Sequence, residues 1–288
     1  MVLNALLNTI YWGGIIAATG LACILSLIYV GQERLLYFPD TTHLLSPYIY
    51  KFDDNSYEEI FLTTSDGIKI QVWFFKQPNS KTVPTLLFCH SNAGNLSHRL
   101  ENIRQLYDKV QCNILILSYR GYGKSQGTPN EQGLKLDVDA CMEWLLNEPS
   151  IDPTKIIAFG RSLGGAVAVD GTARHSKNIK ALILENTFAS IPEMVDVVLP
   201  QLKLFKWFCR NNWNSAITIR ELTCPILFLS ALNDELVPAS HMKTLEKQAY
   251  QCRKKTIIFE EGQHMTLMRQ ENYYDYIKEF MISVFGDW

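Results

Sequence analysis

The stretch Ile156-Ile157-Ala158-Phe159-Gly160-Arg161-Ser162-Leu163-Gly164-Gly165-Ala166-Val167-Ala168-Val169 decides how this chain is read. Its first four residues are continuously apolar, as a strand buried on both faces must be. Its last four are small and apolar and predict a helix packed close to its neighbours. Between them stands the pattern G-x-S-x-G, which in a strand–turn–helix setting forms a tight elbow. Such a turn strains the backbone at Ser162 and leaves no space for side chains at Gly160 and Gly164. It also directs the hydroxyl to the N-terminal end of the next helix, where amides and the helix dipole favour negative charge. A glycine-rich turn with a capping serine is the alternative. The setting favours a nucleophile.

A serine hydroxyl attacks poorly until a base removes its proton, and the base needs an acid to orient it. Two residues downstream fit, in the order acid then histidine. Asp234 follows the apolar run 225–229, and His264 follows the run 256–259. Both therefore fall at the carboxyl edge of a parallel sheet, the edge that Ser162 occupies. Glu235 and, more distantly, Glu185 compete for the role of the acid. His175, at the end of the helix after Ser162, suits a dipole contact, while His43, His98 and His241 have no supporting pattern. The oxyanion formed on attack needs two amide donors. They are assigned to Leu163, directly after the serine, and to Asn92 in the loop His90-Ser91-Asn92-Ala93-Gly94-Asn95. Asn95-Leu96-Ser97 matches a glycosylation sequon, and a helix-start cap is the preferred reading.

Working outward, strands are expected at 58–63, 68–75, 85–90, 113–119, 155–160, 179–185, 225–230 and 255–260. Helical segments are expected at 96–110, 131–147, 163–176, 192–210, 239–251 and 272–285. Ser65-Asp66-Gly67 supplies a hairpin turn. From residue 85 onward strands and helices alternate over short connections, which predicts an α/β fold whose mostly parallel sheet is covered on both faces.

The 288 residues are 47% hydrophobic and 19% charged, a profile that belongs to a folded protein. A formal charge of −2 offers no basic stripe for nucleic acid, and that class is set aside. The seven cysteines show neither C-x-x-C nor zinc spacing, so they read as reduced thiols, with no metal or other cofactor implied. The first charged residue is Glu33. The apolar run from Ile10 to Val30 exceeds the length of about 20 residues that crosses a bilayer, and Tyr11, Trp12 and Tyr29 suit its interfaces. A signal peptide would want a basic start, and a helix lying flat on the surface would want a charged face. Residues 1–34 are therefore expected to be a single-pass membrane anchor, and residues 35–288 one domain.

These motifs resemble the α/β-hydrolase superfamily, and more narrowly its membrane-anchored α/β-hydrolase domain-containing protein 13 group with the bud-emergence relatives. Leu35–Pro39, His90–Asn95, Ser118–Ser125, Gly160–Gly165, Glu185–Phe188 and the Asp234 and His264 segments carry the resemblance. Two positions depart from the family pattern: Ser91 stands where glycine is usual, and Met265 where asparagine follows the histidine. The resemblance implies an eight-stranded sheet and a serine hydrolase acting on an ester or thioester, of a lipid or an acylated protein, through an acyl-enzyme. A catalytically idle scaffold and an amidase or peptidase with the same triad are the alternatives. Residues 188–222 read as a lid-like insertion rich in large apolar side chains. Phe188, Trp207 and Phe208 are its candidates for lining an acyl pocket or touching the bilayer.

Overall fold

The computed structural model describes residues 2–288; Met1, the first residue of the expected anchor, lies outside them. The chain begins with helix α1 (Val2–Leu36), followed by strands β1 (Phe38–Pro39), β2 (Tyr57–Thr63), β3 (Lys69–Phe75), β4 (Thr85–Cys89) and β5 (Ala93–Gly94). Helix α2 (Leu100–Gln105), strand β6 (Asn113–Leu117), helix α3 (Glu131–Asn147), strand β7 (Ile156–Arg161), helix α4 (Leu163–Arg174) and strand β8 (Ile179–Glu185) come next. Helices α5 (Ile191–Val198) and α6 (Ser215–Thr218), strand β9 (Ile226–Ala231), helix α7 (Ala239–Gln248), strand β10 (Lys254–Phe259) and helix α8 (Tyr273–Phe285) complete the order.

Eight strands form one sheet in the order β10-β9-β8-β7-β4-β6-β3-β2. Strand β3 runs antiparallel to both of its neighbours, and every other pairing is parallel. The β2–β3 hairpin turns at Gly67, whose φ of 83° is costly for residues with a Cβ. Every residue of β4, β6, β7 and β9 is buried. Alternation along β4 sends Leu87 and Cys89 into the core under α3 and α4, and Leu86 and Phe88 into the core under α8. Leu86, Leu87 and Phe88 each contribute about 1.5–3 kcal/mol through burial. All eight expected strands are present, so the fold is the expected eight-stranded α/β sheet.

Two expected helices are divided. Residues 192–210 form α5 and then a 3-10 helix, Pro200–Phe208. Pro200 lacks the amide that would continue α5 and disfavours helical backbone at Leu199. Residues 96–110 form a 3-10 turn, α2 and a π turn in succession. The two-residue β1–β5 ladder was not expected; it ties the segment after α1 to the loop after β4.

Helix α1 is apolar and long enough to cross a membrane by length and composition, over Leu6–Leu36. Its last turns meet the insertion. Arg210 forms an ion pair with Glu33 and lies over the Tyr29 ring, and its amide donates to Gln32 Oε1 at 2.6 Å.

Candidate functional site

Ser162 sits at the junction of β7 and α4 with φ 54° and ψ −122°, outside the favoured regions for a residue with a side chain. Three contacts hold it there. Its amide donates to the Glu185 carbonyl at 2.9 Å, and its own carbonyl accepts from Gly165 N at 2.9 Å and from Thr187 Oγ1 at 2.7 Å. The glycines are explained by what surrounds them. A Cβ at Gly160 would strike the Gly164 backbone, one at Gly164 would strike the Cys89 carbonyl, and one at Gly165 would strike Thr187.

Asp234 and His264 come together from the loops after β9 and β10. His264 Nδ1 lies 2.7 Å from Asp234 Oδ2. The other carboxylate oxygen accepts from the amides of Leu236 and Val237 at 2.9 and 2.7 Å, which fixes the plane of the acid. Glu235, the competing acid, instead accepts from the backbone amide of His264 at 3.0 Å. Glu185 lies beneath the site, where Tyr273 donates to it at 2.7 Å. The remaining histidines are engaged elsewhere: His175 with Asp139, His241 with the Ala189 amide, His43 with Asp40 and His98 with the His43 carbonyl.

Ser162, Leu163, Asn92 and His264 line one cavity of about 980 Å³. Both Ser162 and His264 line it, with no hydrogen bond between the hydroxyl and the ring. Leu163 N is the first amide of α4, a position with no acceptor inside its own helix. The Asn92 side chain donates to the Leu36 carbonyl at 3.0 Å, and its carbonyl accepts from Phe38 N at 3.0 Å and from the Tyr122 hydroxyl at 2.7 Å. These bonds hold the Asn92 peptide at the cavity edge. His90 is fully buried between Tyr119 and Tyr122, and burial, reinforced by the charge of Arg99, pushes its pKa down to about 3. Asn95 is also buried; it caps Ser97 N and donates to the carbonyls of Asp40 and His43, as the cap reading requires.

The insertion sorts its apolar residues by face. Side chains three apart share a face in a 3-10 helix, so Leu202, Phe205 and Phe208 turn to the cavity. Leu204 and Trp207 turn away and are 82% and 73% exposed. Phe188 and Phe208 line the cavity, whereas Trp207 does not; it stacks on Phe208 from outside, with ring centroids 3.7 Å apart.

Sequence reasoning passed over the supports of the site. Arg161, read only as the variable residue of the motif, lies buried with Nε 3.3 Å from Glu185 Oε1 and donates to the His264 carbonyl at 2.7 Å. Asn186, at φ 44°, accepts from Ala231 N at 2.8 Å and so ties the end of β8 to the end of β9. Buried charge beside the motif was the available signal, since an arginine between a strand and a turn needs a partner. The departures are accommodated. Ser91 offers its carbonyl to His90 Nδ1 at 2.7 Å, and Met265 Sδ lies 3.7 Å from the Arg161 guanidinium.

The comparisons agree with this fold. A family model described as the alpha/beta hydrolase fold matches residues 84–216. The "Alpha/beta hydrolase domain-containing protein WAV2" of Arabidopsis thaliana is 41% identical over 272 residues, which cover 88% of this chain and 86% of that protein. Protein bem46 of Schizosaccharomyces pombe is 37% identical over 284 residues, covering 96% and 95%. Among solved structures, the Pyrococcus furiosus esterase Pf2001 superposes with a TM-score of 0.70 at 17% identity, over 87% of this chain and 100% of that one, which speaks to the fold alone. With the elbow, the sheet order and two relatives matched along most of their length, the chain belongs to the α/β hydrolase family, in the group that includes bem46 and WAV2.

Proposed function

We propose that this protein is a membrane-anchored serine hydrolase that cleaves a carboxylic ester or thioester through an acyl-enzyme. The observation that carries the reading is His264, oriented by Asp234, lining the same cavity as a backbone-strained Ser162. In this reading Nε2 of His264 takes the proton of Ser162 as Oγ attacks the acyl carbon. Asp234 holds the other ring nitrogen protonated and stabilises the imidazolium. The amides of Leu163 and Asn92 receive the developing oxyanion. His264 returns the proton to the leaving alcohol or thiol, and water then repeats the sequence in reverse to free the acid and the serine. Arg161 acts as a positioning residue, holding the carbonyl of His264 from below.

Residues 1–34 serve as the anchor and 35–288 as the catalytic body, with 188–222 covering the site. Support for the anchor comes from the uncharged stretch before Glu33 and the exposed apolar length of α1. The chemistry is tested with a fluorophosphonate probe, which reacts with an activated serine. Full-length protein in detergent should label, and Ser162→Ala should abolish labelling; labelling that persists at full strength in the variant refutes the assignment.

A further inference from the structure

We propose that α1 is a wall of the substrate chamber as well as a tether, and that this chamber takes one long fatty acyl chain of a membrane lipid from the leaflet around α1. The inference deepens the proposed function and rests on its membrane placement. The cavity of about 980 Å³ is lined both by Ser162 and His264 and by the α1 residues Leu25, Ser26 and Tyr29. That volume lies at the upper end of the range for small-molecule sites, about 300–1,000 Å³. Apart from the reacting groups its lining is overwhelmingly apolar, and it reaches along α1 as far as Ala22.

Helix geometry sets the depth. Eighteen residues separate Tyr11 from Tyr29, about 27 Å at 1.5 Å per residue, close to the hydrocarbon thickness of about 30 Å. With aromatic residues at both interfaces, Ala22 lies about 10 Å inside the leaflet nearer the body. The outer part of the chamber is therefore below the interface, where the available ligand is an acyl chain. Such a chain passes from bilayer to cavity without meeting water. Glu33 and Gln32 bind Arg210, so α1 cannot roll its cavity-facing side away from the insertion. Outside the mouth, Leu204 and Trp207 stand exposed beside Lys203, a composition suited to the headgroup boundary.

The test is photocrosslinking of full-length Ser162→Ala protein in phosphatidylcholine vesicles containing a palmitoyl lipid with a diazirine close to its ester carbonyl. Phe188 is 4% exposed and lines the same chamber as Ser162, so an adduct on Phe188 reports a chain inside the chamber and not one lying against the surface. An adduct is expected there. Ser26→Trp, added in the same background to fill the α1 side, should lower it about tenfold or more, whereas Leu27→Trp, on a face of α1 outside the cavity, should leave it in place. Absence of the Phe188 adduct, or equal yields in the two tryptophan variants, overturns the proposal. Crosslinking needs no turnover. Failure of the nucleophile reading shows separately, as wild-type protein that the fluorophosphonate does not label.

Discussion

The grouping of Ser162, Asp234 and His264 was legible in the sequence because each follows the carboxyl end of a strand, and those ends of a parallel sheet converge on one edge. Choosing Asp234 over Glu235 was harder, since neighbours in a loop point in directions that no pattern fixes. The structure divides their work: Asp234 takes the ring of His264 and Glu235 takes its amide. His90 was read only as part of a loop, yet its surroundings give it a measurable signature. Burial first, then the nearby Arg99, lowers its pKa from 6.5 to about 3. An unfolded chain therefore takes up a proton between those values that the folded chain refuses, and stability is lost as pH falls through that window. The slope from this one group is up to about 1.4 kcal/mol per pH unit. Urea denaturation at about pH 7 and about pH 5 should show the loss. His90→Phe, which keeps a ring against Tyr119 and Tyr122, should flatten the slope even though it leaves the Ser91 carbonyl without a donor; an unchanged slope counts against the assignment.

At the scale of elements, the strands were readable because burial on both faces demands unbroken apolar runs. Helix breaks were not, because α5 and the segment after it share one apolar pattern and only Pro200 separates them. The 3-10 geometry beyond Pro200 then moved Trp207 to the outside, where a helix of 3.6-residue period predicts no such division. Also unread was the joint between β7, β8 and α8, where Arg161 and Glu185 lie buried side by side. Breaking such a pair costs about 3–5 kcal/mol, because the abandoned charge stays in the interior. Arg161→Met should therefore lower unfolding stability by that order, and adding Glu185→Gln should recover much of the loss. Chemical denaturation of the single and double variants measures both; full additivity of the two changes would show that the pair is not coupled.

For the molecule as a whole, an uncharged N-terminal run and a hydrolase-type body were both evident in the sequence, but their contact was not. Nothing in the spacing of residues says that Arg210 returns to Glu33, a separation of 177 positions. With the anchor in a bilayer, the exposed ring of Trp207 should lie at headgroup depth. Brominated lipids in nanodiscs should quench part of the tryptophan emission, and Trp207→Phe should remove a quenchable share; quenching that is identical in the variant places the ring in water. With α1 spanning a bilayer as proposed, the clamp between Glu33 and Arg210 would also fix the height of the mouth above the midplane. A body held rigidly at one altitude searches in two dimensions. Its working concentration of reactant is then set by crowding within the sheet of lipid, and molecules dissolved in the surrounding fluid hardly enter the count.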